Sequence, residues 1–272
     1  PSEMPMNNER MATINTATHF GLEREIGSIT PGRRADVVLT SDLRTLPIHR
    51  VIARGRTLAI DGVLMAEAEQ FGWPDAARKT VNLGKHLAAD DFAIHAPEGA
   101  NAVKVKVIGV VENQAPTKAL TAELEVRDGL VEGDQAKDVC QIALVERHRG
   151  TGAVTNAFVS GFTYKGDCAV ASTVAHDSHH MIVVGTSRAD MALAANRLGE
   201  VGGGITVWRD GKELALVRLP IAGLMSDAPA EEVAAAADAM VRAMAECGAT
   251  LNNGYMQHSL LALVVIPELR IS

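Results

Sequence analysis

A histidine-rich segment between two apolar runs constrains the fold of this chain more than any other feature. Residues 169–175 and 181–185 are mostly Ala, Val and Ile, whereas residues 176–180 hold three histidines, an aspartate and a serine. Short apolar runs with β-branched residues, bounded by polar ones, indicate buried strands. We therefore predict a tight bend between two buried strands, which holds polar side chains on a rigid scaffold and leaves them accessible.

Composition and charge exclude several classes of protein. The 272 residues are enough for two domains, and with 47% hydrophobic but 3% aromatic residues the cores must be aliphatic. The net charge of -7 argues against a nucleic-acid partner. No apolar run approaches the roughly 20 residues of a membrane span, and the first residues lack the features of a secretory signal. The odd number of cysteines, Cys140, Cys168 and Cys247, favours reduced thiols in the cytoplasm.

The two halves of the chain show different patterns. Residues 11–21 predict a helix that ends at Gly21, and short strands with turns follow it, including an Asp61–Gly62 turn. A β unit of about 40 residues rarely folds alone, so we expect it to pack on something outside the chain. The second half predicts a mixed sheet with covering helices, one of which opens at Ser187. The predicted fold class is α+β (mixed α/β).

Short blocks of sequence with a family pattern occur along nearly the whole chain. The first blocks are Ala12–Ala17, Gly21–Leu22, Gly27–Ile29 and Pro31–Val38. The later blocks are Arg147–His148, Gly150–Gly152, Gly161–Phe162, Ala171–Thr173, His176–His179, Val183–Thr186, Gly202–Gly204, Leu219–Ser226 and Ile266–Leu269. The first blocks resemble the end of an amidohydrolase-superfamily enzyme, and the later blocks resemble the C-terminal domain of bacterial adenine deaminases. His180 departs from the asparagine of the family pattern.

The resemblance implies a division of the chain into four parts. Residues 1–21 would be the last helix of a (β/α)8 barrel whose remainder is missing from the chain, and residues 22–65 a small β-sandwich flank. Residues 66–99 would be a connector, and residues 100–272 the C-terminal mixed-sheet domain. A barrel takes roughly 250 residues, so its catalytic part does not fit within this chain.

The resemblance also implies a function for the whole protein. It would be a cytoplasmic hydrolase of purine salvage that converts adenine to hypoxanthine and ammonia with a metal-activated water. Manganese or iron ions would be bound by the missing barrel, so this chain alone is expected to be inactive. The implied partners are adenine, the barrel portion and a second copy in a homo-oligomer, with no nucleic acid and no membrane.

Four neighbouring residues form the first candidate site: His176, Asp177, Ser178 and His179. A histidine beside a carboxylate can have its tautomer and orientation fixed, which suits an active-site loop that moves a proton. The same groups can bind divalent metals, but a complete site needs three or four converging ligands, so no metal ligand is assigned. A third interpretation is a bend whose polar groups satisfy one another. No residue of the chain is assigned as catalytic.

Three other segments have alternative interpretations. Met225 and Ser226 are candidates for an interface or substrate contact, or else Ser226 or Asp227 caps the helix that follows Pro229. Gly202–Gly204 favours a tight turn over a phosphate loop because no Lys-Ser/Thr pair follows. Arg147–Arg149 could hold an anion or form a solvated turn.

Besides part of a deaminase, two functional classes stay open. One is a non-catalytic interaction domain that completes a partner's active site or oligomer. The other is an independent metal-dependent hydrolase that uses residues 176–180.

Overall fold

The computed structural model describes residues 9–66 and 71–272, and the chain divides into two compact units. The first unit ends at Gly72 and the second begins at Trp73. Within the described residues, none of the helices has both the length and the hydrophobicity that crossing a bilayer requires.

The first unit contains a short helical segment and a four-stranded antiparallel sheet. A π-helical turn, Met11–Asn15, continues into α1 (Thr16–His19). The strands, in their order across the sheet, are β1 (Val37–Thr40), β2 (Ile48–Ala53), β3 (Arg56–Ile60) and β4 (Val63–Leu64). Ile60 pairs with Val63, which confirms the predicted turn at Asp61–Gly62. Among its described residues this unit buries a single side chain, Ala17, so it has almost no core of its own.

The second unit is built on a nine-stranded mixed sheet. Its strands are β5 (Ala102–Gly109), β6 (Lys118–Arg127), β7 (Leu130–Val131), β8 (Val139–Val145), β9 (Val154–Ser160), β10 (Cys168–Ser172), β11 (Met181–Gly185), β12 (Gly204–Arg209) and β13 (Lys212–Arg218). Their order across the sheet is β13-β12-β10-β11-β8-β9-β5-β6-β7. The β5–β9 pair is parallel and the other pairs are antiparallel. The predicted mixed sheet and α+β class are confirmed.

Helices cover both faces of this sheet. They are α2 (Asp75–Arg78), α3 (Arg188–Val201), α4 (Ala230–Glu246) and α5 (Gly254–Leu260), with 3-10 turns at Ala89–Phe92 and Gln135–Lys137. Ser187 caps α3 by accepting a hydrogen bond from the N–H of Asp190 at 3.4 Å, as its sequence predicts. The Asp190 carboxylate does not accept a hydrogen bond from the N–H of Ser187, as it would in a capping box. It accepts from the N–H of Gly211 at 2.9 Å and so ties α3 to the β12–β13 turn.

Alternate residues of the central strands fill two separate cores. In β8, Ile142 and Leu144 face the core that includes Met240 of α4, whereas Ala143 and Val145 face the core under α3. This division follows from the two-residue period of a strand. Strands β8, β10 and β11 are buried along their whole length, which explains why their sequences are nearly continuous apolar runs.

Part of the polar segment 66–99 also contributes to a core of the second unit. Residues 67–70 lie outside the described residues, but Leu83, Leu87 and Phe92 are buried under α3. The buried amide of Asn196 accepts from the N–H of Leu87 at 2.9 Å and donates to its carbonyl at 2.8 Å. These paired hydrogen bonds fix the segment to the helix, because a buried amide must satisfy both its oxygen and its nitrogen.

Candidate active-site loops

The histidine-rich segment is a bend between two buried antiparallel strands, as predicted. Ser172 at the end of β10 pairs with Ile182 near the start of β11. At the same edge of the sheet, Val145 pairs with Met181 and Gly204 pairs with Arg218. The segments 146–153, 173–180 and 219–227 therefore emerge side by side. We call these three segments the edge loops.

Backbone hydrogen bonds fix the conformation of the 173–180 loop. The N–H of His179 donates to the carbonyl of Ala175 at 2.7 Å, and the N–H of Ala175 donates to Nδ1 of His179 at 3.2 Å. The His179 imidazole thus accepts at Nδ1, which leaves its proton on Nε2. The N–H of His176 donates to the carbonyl of Ser259 at 3.0 Å, and the rings of His176 and His179 meet edge-to-face at 5.2 Å.

The polar groups of this loop differ in exposure. His176 and His179 are half-buried, whereas Asp177 and Ser178 are exposed. Burial, together with the neighbouring His176 and Arg147, lowers the pKa of His179, which favours the neutral imidazole. Among the described residues, the Asp177 carboxylate and the Ser178 hydroxyl have no hydrogen-bond partner. The bend therefore satisfies some of its polar groups internally and leaves others free to contact a ligand.

In the neighbouring 146–153 loop, backbone N–H groups bind the carboxylate of Glu146. Glu146 accepts hydrogen bonds from the N–H groups of His148, Arg149 and Thr151 at 2.5, 2.8 and 3.0 Å, and from the Thr151 hydroxyl at 3.0 Å. Burial raises the pKa of Glu146, but these hydrogen bonds outweigh it and lower the pKa to about 2. Glu146 occupies the N–H groups of His148, Arg149 and Thr151, so these three donors are not free to bind an external anion.

Histidines connect this turn to the bend. Nε2 of His148 donates to the carbonyl of Ser178 at 2.8 Å. The ring of His148 lies 4.9 Å from that of His180, whose Nδ1 is buried and has no partner in the described part of the chain. Burial and the nearby His148 lower the pKa of His180.

Arg147 is the residue of this region whose burial the sequence does not indicate. It is 1% exposed, and its guanidinium donates to three backbone carbonyls. The acceptors are His179 at 2.5 Å from Nε, Thr80 at 3.1 Å from Nη1 and Ala222 at 3.2 Å from Nη2. The side chain therefore joins the bend to the third edge loop. The predicted solvated turn holds for His148 and Arg149, which are exposed, but not for the buried Arg147.

Met225 and Ser226 lie on that third loop. The backbone groups of Ile221 and Met225 pair in both directions at 3.0 Å, and 48% of Met225 is exposed. The Ser226 hydroxyl accepts from the N–H of Ala228 at 3.2 Å, and Asp227 forms an ion pair with Arg78 at 2.8 Å. The alternative that either residue caps the next helix is wrong, because Pro229 occupies the N-cap and no side chain caps it. The structure thus brings both candidate segments to one edge of the sheet.

These residues do not form a metal centre. In the described ranges 9–66 and 71–272, no group of three or more His, Cys, Asp or Glu side chains is arranged to hold an ion. The interpretation of residues 176–180 as a metal site has no support from this geometry.

Comparison with known protein families identifies the chain. The adenine deaminase C-terminal domain family matches residues 114–272, more than half of the chain, including all three edge loops. The chain belongs to this family. The amidohydrolase family matches residues 6–58, which agrees with the resemblance of the first part of the chain.

Curated adenine deaminases match almost the whole chain. The chain is 75% identical over 263 residues to that of Ruegeria sp. (strain TM1040) and 74% identical over 264 residues to that of Ruegeria pomeroyi. It is 44% identical over 268 residues to that of Moorella thermoacetica. These alignments cover 97%, 97% and 98% of this chain but 43%, 44% and 45% of the relatives. The chain thus spans less than half the length of the relatives that it matches.

Proposed function

We propose that the chain is the C-terminal part of an adenine deaminase and that its edge loops form part of the active site. The reaction is the hydrolysis of adenine to hypoxanthine and ammonia. The observation that carries the proposal is that the edge loops bring the exposed Asp177, Ser178 and Met225 and the half-buried histidines to one edge of the sheet. These residues all fall within the part of the chain that matches the deaminase domain.

In this proposal the rest of the enzyme supplies the metal. The amidohydrolase family suggests a divalent ion, and we propose manganese or iron, held outside this chain. Such an ion would supply an activated water by lowering its pKa towards neutral. The described residues of this chain offer no ligand group for it.

The edge loops are then suited to bind and orient the purine. The Ser178 hydroxyl can donate to or accept from a ring nitrogen, and the Asp177 carboxylate can accept from the exocyclic amino group. His179 keeps its proton on Nε2, because Nδ1 accepts from the backbone, and so it can donate to a developing negative charge. His176 is held beside it by the Ser259 carbonyl and can relay a proton.

A second candidate function is an interaction domain that completes a partner's active site or an oligomer without contributing catalytic groups. The exposed Val38, Leu39, Val63 and Leu64 of the first unit favour this alternative, because that unit leaves apolar surface uncovered. A homo-oligomer stays a prediction. A cytoplasmic location is also part of the proposal, and it is supported by the free thiols of Cys140, Cys168 and Cys247.

Adenine deamination by a fused protein tests the proposed function. We define the fused deaminase as the portion of the Ruegeria sp. (strain TM1040) enzyme that this chain does not cover, joined to this chain. With manganese supplied, we expect it to release ammonia and hypoxanthine from adenine, whereas this chain alone and the Ruegeria portion alone are expected to release neither. An inactive but folded fused deaminase would contradict the proposal, and activity of this chain alone would locate the catalytic centre in residues 176–180.

A further inference from the structure

We propose that Arg147 is the positioning residue of the edge-loop site: its guanidinium holds the 173–180 and 219–227 loops in the arrangement that adenine deamination requires. This inference rests on the proposed function. It concerns a residue that touches neither substrate nor metal and that acts through the backbone of two loops.

Three hydrogen bonds of Arg147 connect segments that are far apart in the sequence. Nε, Nη1 and Nη2 each donate to a different carbonyl, those of His179, Thr80 and Ala222. Hydrogen bonds from a charged donor are stronger than those between neutral groups. Within the described residues, no carboxylate pairs with this guanidinium, so the three carbonyls are what compensates its buried charge.

Two of these carbonyls belong to residues in a strained backbone conformation. His179 has a φ of 50° and Ala222 a φ of 57°, in the left-handed region that non-glycine residues rarely adopt. Such residues persist where surrounding contacts hold them. Arg147 supplies one contact to each, which couples the histidine bend to the turn that precedes Met225.

The space around the guanidinium matches an arginine closely. A Cβ added to Gly223 would lie 2.9 Å from Nη1 of Arg147, and the carbonyl of Gly223 accepts from the buried Thr173 hydroxyl at 2.6 Å. The turn at Gly223 therefore lies close against the guanidinium and is also tied to Thr173. A lysine carries the same charge but lacks the planar fork that reaches three carbonyls at once.

The charge of Arg147 also bears on the protonation of His179. The charged and titratable groups that face this imidazole are His176, Arg147, Asp177 and His148. Burial, His176 and Arg147 lower the pKa of His179, and Asp177 opposes them. Removing the guanidinium is therefore expected to raise the pKa of His179, so that the imidazole becomes protonated at higher pH.

Two substitutions in the fused deaminase separate geometry from charge. Arg147→Lys keeps the charge. We expect its kcat to fall at least about tenfold, whereas the acid limb of the pH dependence of kcat keeps the same midpoint as in the parent. Arg147→Met removes the charge, and we expect a similar loss of kcat together with an acid limb moved to higher pH. Arg242→Met, on an exposed position of α4 outside the edge loops, is the control and is expected to retain the parent kcat and KM.

The outcomes distinguish this inference from the proposed function. If the fused deaminase is active and Arg147→Lys retains its kcat, KM and pH profile, the positioning role is wrong and the proposed function stands. If the unsubstituted fused deaminase is folded but inactive, the proposed function fails, and the positioning role fails with it. Arg147→Lys preserves the charge and most of the side-chain volume, so it decides the matter if Arg147→Met does not fold.

Discussion

Replacing Gly204 by alanine is expected to destabilise the second unit by about 4 kcal/mol or more, in the range of the most damaging single substitutions. A Cβ at this position would lie 2.1 Å from the carbonyl oxygen of Val217 on the paired strand β13. The backbone cannot easily move away, because the N–H of Gly204 donates to the Thr173 hydroxyl at 2.8 Å and its carbonyl accepts from the N–H of Thr173 at 2.9 Å. With a φ of 150°, Gly204 also has a conformation that favours glycine.

Gly211→Ala is the matched control for this substitution. Gly211 also has a positive φ, 75°, but a Cβ there would meet no heavy atom within 4 Å. The expected loss is therefore the conformational cost alone, about 1 kcal/mol. The free energy of unfolding in urea measures both variants. Equal losses would show that backbone conformation, and not the contact with Val217, makes glycine necessary at position 204.

Acid is expected to destabilise the protein through His258, starting at a pH where most carboxylates are still ionised. His258 is 1% exposed, and its Nε2 donates to the carbonyl of Val170 at 3.2 Å. Burial lowers the pKa of this imidazole from its usual 6.5 to about 4. Below pH 6.5 the imidazole binds a proton in the unfolded chain but not in the folded protein. The contribution of the neutral His258 to the free energy of unfolding is therefore fully present above pH 6.5 and is lost as the pH falls towards 4. The expected loss is about 3 kcal/mol.

The variant His258→Gln isolates this effect because glutamine does not titrate and its amide can still donate to the Val170 carbonyl. Between pH 7 and pH 4, the free energy of unfolding of the parent is expected to fall by about 3 kcal/mol more than that of His258→Gln. The exposed His95→Gln is the control and is expected to follow the parent. If His258→Gln and the parent lose the same stability over this range, other groups cause the acid sensitivity.

The sequence predicted the local elements of the second unit because their signals are local. The continuous apolar runs predicted the buried β10 and β11 with a bend between them, and Ser187 predicted the start of α3. The family resemblance came from many short blocks in a fixed order, and the family comparison confirmed it. Each of these signals lies within a few consecutive residues.

What the sequence did not predict depends on contacts between distant residues. Arg147, in a charged segment before Gly150, has the pattern of an exposed turn; its burial depends on carbonyls 67 and 75 residues away. Asp227 has the pattern of a helix cap, but Arg78 pairs with it instead. In the same way, α3 buries apolar side chains of a segment whose overall composition is polar. Local propensity carries no information about such partners.

The activity of loop variants in the fused deaminase tests the central claim most directly. His176→Ala and Ser178→Ala change the candidate edge loop, and Lys212→Ala changes an exposed residue next to the β12–β13 turn at the opposite edge of the sheet. We expect kcat/KM for adenine to fall about 100-fold for His176→Ala and about tenfold for Ser178→Ala, with Lys212→Ala unchanged. If the fused deaminase is active and both loop variants keep the parent kcat/KM, the edge loops lie outside the active site and the interaction-domain alternative is favoured.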